Sequence, residues 1–464
     1  MIRFVSTRGD KTPKSFTDVL LSGMAPDGGL YVPAEWPKLD LAAMRGLAYT
    51  DIAYRVIKPF VGDDIPDDEL QAIVVETYEN NFSHSAVAPL VQLGPNTWVM
   101  ELFHGPTIAF KDYALQLLGR LFDHVLERQR RKITIVGATS GDTGSAAIEG
   151  CKACENVNIF ILHPKGRTSE VQRRQMTGVD SPNVFNIALE GNFDDCQKAV
   201  KAMFADRAFR EEMDLSAVNS INWARIMAQI VYYVAAAISL GVSQDRRISF
   251  AVPTGNFGNV YAAYCAMKMG LPIEKLVIGS NRNDILTRFF ETGEMKAEVV
   301  EPSLSPSMDI QVSSNFERFL FDLLSRNADD VRAKMESFRQ SGSFTVDDKH
   351  MKKAREIFEA CRCTDPQTLV IMAECYKETG YMIDPHTAVG LSAAWSAERD
   401  SAVPLVALAC AHPAKFPDAV EKATGIRPPL PAHMADLYDR KEKFTVLPND
   451  QTQLQDFVRK NTSS

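Results

Sequence analysis

Short apolar runs of strand type alternate with helix-periodic segments along most of the chain, and this alternation limits the fold more than any other feature. "KITIVGATSGDTGSAAIEGCK" reads as a strand through Val136, a Gly/Ser/Thr loop, and a helix from near Thr143. "ISFAVPTGNFGNVYAAYCAMKMG" repeats the plan, with a strand ending near Pro253 and a helix from about Val260. "VPLVALACAHPAKFPDAVEKATG" does so again and stops at Gly425. Strands separated by helices in this way predict an α/β fold with parallel sheets covered on both faces. At roughly 150 residues per domain the 464 residues make two or three domains. Residues 1–92, with the turn "MAPDGGLYVPAEWP" and the acidic helical stretch "DDIPDDELQAIVVETYEN", read as a separate N-terminal domain. Between about Glu291 and Cys363 the pattern is charged helix without a chemical signature, read as scaffold or an elaboration on the core.

Composition removes several function classes. Lys plus Arg number 51 against 59 Asp plus Glu, a net charge of −8, so no general field draws in polyanions and no nucleic-acid partner is expected. "MIRFVSTRGD" lacks the succession of a signal peptide, and no apolar run approaches the roughly 20 residues of a membrane span. A cytoplasmic protein with no membrane partner is expected. Eight cysteines in helix-like and strand-like contexts suit reduced thiols. Cys151 with Cys154, and Cys361 with Cys363, lack further ligands at finger spacing, so no metal is expected. The basic run Arg128 to Lys132 reads as a solvated helix end.

Four stretches carry chemistry. In "ELFHGPTIAFKDYALQLL", Lys111 follows Phe110 and opens a helical pattern. A first-turn ammonium faces the positive end of the helix dipole, and burial there favours the neutral amine, a nucleophile suited to imine formation. The other reading is a surface lysine packed on Phe110 or Leu115, with Asp112 as N-cap. In "TGNFGN", Gly255 and Gly258 let backbone N–H groups converge at a helix start, which makes a phosphate nest or a plain strand-to-helix turn. Its spacing is neither that of a dinucleotide fingerprint nor that of a Walker loop, so a mononucleotide-like cofactor phosphate fits better. "GATSGDTGS" offers the hydroxyls of Thr139, Ser140 and Thr143 to a carboxylate, or helix capping by Asp142 or Thr143. In "NSINWARIMAQ", Asn219, Ser220 and Asn222 precede Arg225, whose guanidinium suits a phosphate dianion; a surface arginine is the alternative.

In this order, "FHGPTIAFKD", "TSGDTG", "NSINWARI", "TGNFGN" and "AHPAKF" resemble the threonine synthases, pyridoxal phosphate (PLP) enzymes of fold type II. The likeness runs from "STRGD" through "AHPAKFPDAV", most of the chain. It implies a tryptophan-synthase-β-like fold of two lobes with an extra N-terminal domain. The large PLP-binding domain would span 93–130 and 215–464, and a small mobile subdomain 131–214. It implies a carbon–oxygen lyase that converts O-phospho-L-homoserine and water to L-threonine and phosphate, the last step of threonine biosynthesis. By the same resemblance Lys111, beside Phe110, carries PLP as an imine, and Gly255, Asn256, Phe257, Gly258 and Asn259 cradle its phosphate. Thr139, Ser140, Asp142 and Thr143 match the loop at the substrate carboxylate and cofactor ring, where related dehydratases usually have Asn at the acidic position. Asn219, Ser220 and Arg225 match positions that hold the substrate phosphate. Cys410 stands where the family commonly has a Thr facing the pyridine nitrogen; a small core residue is the other reading. His104, His386 and His412 read as structural, satisfied by backbone carbonyls. A monomer or homodimer is expected. Two rival readings are another type II PLP enzyme, such as a threonine dehydratase or an O-phosphoserine-utilising synthase, and a non-catalytic relative that binds a small phosphorylated ligand.

Overall fold

The computed structural model describes residues 2–10, 12–139 and 141–462. Two sheets carry the fold. The larger has the order Phe358–Arg362, Ile273–Ser280, Ile248–Pro253, Leu405–Ala409, Thr97–Glu101, Leu90–Gly94, parallel except for the final pair. Every residue of the strand Ile248–Pro253 is buried, as an apolar run covered on both faces requires. The second sheet is parallel throughout, in the order Thr445–Pro448, Val184–Glu190, Val157–Pro164, Ile133–Ala138, Leu215–Ser216.

That second order corrects the expected domain division. The strand Thr445–Pro448 and the helix Gln451–Thr462 belong with the small lobe, although 215–464 was assigned to the large domain. The reason is hydrophobic: Leu454 and Val458 are fully buried in one cluster with Val136, Phe160 and Leu189. The boundary at residue 92 falls inside the strand Leu90–Gly94, which pairs with Thr97–Glu101.

The N-terminal domain contributes the helices Phe16–Ser22, Tyr49–Val61 and Asp67–Tyr78, yet it has no separate core. Its Phe4, Phe60 and Trp36 close on Trp223 of the buried helix Trp223–Ser239, with ring centroids 5.6, 5.4 and 6.3 Å apart. Arg318, fully buried, adds polar ties by donating to the carbonyls of Tyr31 and Ile221 and to Asn315 Oδ1.

The segment 291–363 elaborates the core with the helices Phe316–Leu323, Ala328–Ser341 and Asp348–Ile357, and its last strand extends the large sheet. The helices Lys111–Gln129 and Asp142–Cys151 cross in backbone contact. A Cβ on Gly119 would collide with the Gly150 carbonyl, and one on Gly150 with that of Leu115, so only glycine permits the approach. This crossing brings the first residues of the two helices together.

Candidate active site

Thr139, Thr254 and Cys410 each follow the last residue of a parallel strand, the end at which open α/β sheets collect ligands. Residues from both sheets line one cavity of about 400 Å³ there. Of the residues singled out from sequence, Phe110, Lys111, Thr139, Thr143, Asn219, Ser220, Arg225, Gly255, Asn256, Phe257, Gly258, Asn259 and Cys410 line it. Ser140 lies outside the described residues.

Lys111 is the first residue of its helix and only 8% exposed, which overturns the surface reading. Its Nζ lies 3.2 Å from Asp142 Oδ2 and 3.4 Å from Ser307 Oγ. The sequence reading counted the helix dipole and burial, and the carboxylate is a counter-charge it did not include. Asp112 is not the N-cap: its carboxylate accepts from Thr107 N at 2.8 Å and Thr107 Oγ1 at 2.7 Å, and burial pushes it up to about 6. The backbone just before Lys111 is strained, since Ile108, a β-branched residue, has φ of 54°. It is held there by bonds such as His412 N to Ile108 O, 3.0 Å.

Neither Asp142 nor Thr143 caps the helix Asp142–Cys151. Thr139 Oγ1 does so, accepting from Gly141 N and Gly144 N, both at 3.0 Å. Asp142 is therefore free to accept from Ser307 Oγ at 2.8 Å and from Gln172 Nε2 at 2.7 Å, with Lys415 Nζ 3.4 Å away. It is held well below the usual carboxylate range: Lys111 and Lys415, followed by His386 and the Gln172 bond, outweigh the opposing cost of burial.

At the glycine turn, Phe257 takes φ of 62° and starts the helix Gly258–Lys268. Its ring points into the core against Phe316, Phe319 and Phe358, so this residue offers backbone to the cavity. Ser313 Oγ donates to Gly255 O at 2.7 Å, and Asn315 N to Asn256 O at 3.1 Å, which fixes the turn from behind. First-turn N–H groups of a helix lack intrahelical acceptors and suit a phosphate. The Asn259 side chain is committed elsewhere, with Oδ1 accepting from Tyr232 and Tyr233 and Nδ2 lying 3.8 Å from Cys410 Sγ. Burial pushes the Cys410 thiol up, so it remains a neutral, weak hydrogen-bonding group.

Arg225 is 4% exposed, and its Nε and the neighbouring Asn219 Oδ1 are buried with no hydrogen-bond partner among the described residues. Burial pushes the guanidinium down to about 10. A forked cation lining a cavity without a carboxylate partner is chemically fitted to an anionic ligand. A buried amine, a helix-start turn and an uncommitted guanidinium together fit a phosphorylated aldehyde cofactor and a second anion.

Three residues at the site escaped the sequence reading of function. Ser307 comes from the segment taken as scaffold, in "SLSPSMD", where nothing marks a reactive hydroxyl. His386 is held not by a carbonyl but by Asp384, with Nδ1 2.7 Å from Oδ2, and its Nε2 accepts from Ser307 N at 3.3 Å. The run "DPHT", a helix N-cap followed by Pro, is the local signal that could have paired Asp384 with His386. Lys415 lies within "AHPAKF" and is fully buried. The other two histidines also lack the expected carbonyl partners: His412 Nδ1 accepts from Ala414 N, and His104 Nε2 meets Glu101 at 2.7 Å.

Comparison with known proteins agrees with this arrangement. Profiles for the threonine synthase N terminus, pyridoxal-phosphate dependent enzymes and the threonine synthase C-terminal region match residues 3–78, 85–339 and 387–458. The chain is 55% identical over 461 residues to a threonine synthase of Pseudomonas aeruginosa, covering 98% of each. A PLP-bound threonine synthase structure from Brucella melitensis superposes with a TM-score of 0.98 at 50% identity over 100% of both chains. The yeast enzyme does so at 0.94 and 37%, over 99% of both. Full-length coverage at these identities, on a cavity with a buried lysine opposite a helix-start turn, places the chain in the threonine synthase family of pyridoxal-phosphate-dependent enzymes.

Proposed function

We propose that this lyase converts O-phospho-L-homoserine and water to L-threonine and phosphate, with PLP carried by Lys111. Arg225 is the observation that carries the substrate reading: the cavity holds a buried cation in addition to the glycine turn that suits a cofactor phosphate. A dehydratase has no use for a second phosphate site.

PLP supplies an electron sink for the charge that develops next to the substrate nitrogen. The chain's own groups do the rest. Lys111 Nζ takes the Cα proton, steadied by Asp142 Oδ2 and Ser307 Oγ. Arg225, Asn219 and Ser220 hold the phosphate on Cγ and stabilise it as it leaves, after a proton has gone from Cβ. Thr139 and Thr143 line the cavity where the substrate carboxylate would be held, and water then adds at Cβ. Gly255, Asn256, Phe257 and Gly258 would hold the cofactor phosphate through backbone donors, and Cys410, contacted by Asn259 Nδ2 at 3.8 Å, would offer its thiol to the cofactor ring. Closure of the lobe built on 131–214 and the strand Thr445–Pro448 keeps water out until the phosphate has left.

The same reading places the enzyme in the cytoplasm, as a monomer or homodimer; eight unpaired thiols support a reducing compartment. Among the described residues no helix is long and apolar enough to cross a membrane. The test is a visible-absorbance titration of the purified protein with O-phospho-L-homoserine, coupled to assay of phosphate release. A spectral change with stoichiometric phosphate and threonine supports the reading. Formation of 2-oxobutyrate from threonine without phosphate turnover overturns it.

A further inference from the structure

Lys415 has 0% exposure; burial pushes its pKa down, Asp142 and Asp112 oppose that, and three acceptors surround its nitrogen. Nζ donates to Thr107 O at 2.8 Å and Gln175 Oε1 at 3.0 Å, and Asp142 Oδ1 is 3.4 Å away. The two oxygens of Asp142 thus face different partners. Oδ1 meets Gln172 and Lys415, which take no part in the chemistry, whereas Oδ2 meets Lys111 and Ser307. A buried carboxylate left without a cation is strongly disfavoured. If Lys111 were its only cation, releasing the Lys111 proton would strand that charge.

We propose that Lys415 is a positioning residue, a fixed ammonium that keeps Asp142 ionised and oriented while Lys111 gains and loses its proton. The proposal rests on the reading of Lys111 as the reacting amine. The other titratable groups facing this cluster are His386 beside Asp142, Cys410 beside Lys111, and Asp112 beside Lys415. None of these is a second cation within salt-bridge distance of Asp142.

The test compares holoenzyme carrying Lys415→Met, Lys415→Gln and the pair Lys415→Gln with Asp142→Asn. The readouts are the pH titration of the cofactor's visible band, and kcat and KM against pH. Without the fixed charge, the proton near Lys111 is held more tightly. The band titration and the acid limb of kcat should both move up by about 1–3 pH units, the range a neighbouring charge commonly imposes. KM should change less than kcat, because the Arg225 region is untouched. Gln retains donors for Thr107 and Gln175, so a purely structural role predicts that Lys415→Gln behaves as wild type, while the charge role predicts that it shifts as Met does. The double variant also lacks the carboxylate that holds the proton, so its band should titrate below that of Lys415→Gln. An unshifted band in folded Lys415→Gln overturns the proposal, and if the Met variant fails to fold, the Gln variant decides alone. The band titration needs no substrate, so a wrong substrate assignment would leave this result standing.

Discussion

Replacing Arg225 by Met should make the unliganded protein more stable while destroying its use of a phosphorylated substrate. Burial holds the guanidinium at about 10, against about 12.5 for an ordinary arginine. At about 1.4 kcal/mol per pH unit, keeping this charge in the fold costs about 3 kcal/mol. The sign follows from linkage: a cation whose folded pKa is depressed binds its proton more weakly in the native state, so near pH 7, with both states charged, the penalty falls wholly on the fold. Met keeps most of the stem packing and removes the charge. With an unfolding entropy of about 2.1 cal/mol/K per residue, 464 residues convert 3 kcal/mol into a rise in Tm of about 3 °C. The assay is thermal unfolding of wild type and variant, with and without inorganic phosphate. Phosphate should stabilise the wild type by mass action and the variant far less. A variant that is less stable without ligand, or one that phosphate stabilises as much as the wild type, would refute the assignment of Arg225 as an anion site.

Lys111→Ala should lose turnover, the cofactor's visible band and any borohydride-fixed adduct on that peptide, with its circular dichroism unchanged; wild-type activity would sink the nucleophile assignment. Ser307→Ala removes a hydroxyl shared by Asp142 and Lys111, and should lower kcat by roughly tenfold, the cost of one charge-assisted hydrogen bond, while KM and Tm stay near wild type. Stability against pH tests two opposed groups. His412 is held down at about 4 by burial and then by His104, so as pH falls from about 6.5 toward 4 the unfolded chain protonates first and about 3 kcal/mol is lost. Asp112, raised by burial to about 6, keeps its proton in the native state and returns a similar amount between about pH 6 and 4. Urea titrations should therefore show a shallow acid limb in the wild type, a steeper one in Asp112→Asn, and stability that rises on acidification in His412→Gln.

Sequence carried the parallel-sheet plan and the loops because both depend on local signals: apolar runs for covered strands, and glycine or hydroxyl residues where a strand meets a helix. It missed what depends on distant partners. The strand Thr445–Pro448 joins the small lobe only because Val184–Glu190 offers it an edge, and four residues of weak pattern cannot announce that pairing. Thr139, rather than Asp142 or Thr143, caps the following helix because Gly141 turns the chain with φ of 151°. Ser307 reaches Asp142 across 165 positions of sequence, and Lys415 reaches Thr107 across 308. Neither spacing leaves a local trace.

Four places where this chain breaks local rules lie at or beside the cavity. Ile108 and Phe257 hold positive φ, and Arg225 and Lys415 are charges taken out of water. All but one of these departures have a support that could not be removed without moving the chemistry. The Phe257 conformation is fixed by a cluster of phenylalanine rings behind the glycine turn, so the backbone donors keep their direction whether or not an anion is present. Lys415 is saturated by two neutral acceptors and one carboxylate, and Asp142 in turn is held from three sides. Arg225 alone lacks such support among the described residues. The group without a protein partner is then the one whose partner is expected to arrive and leave with each turnover, and the groups with partners are those that must stay still. On the proposed assignment of Arg225 to the substrate phosphate, this division has a reason: a resident group can be gripped by neutral backbone donors, while a transient dianion needs an opposite charge that no carboxylate has already taken.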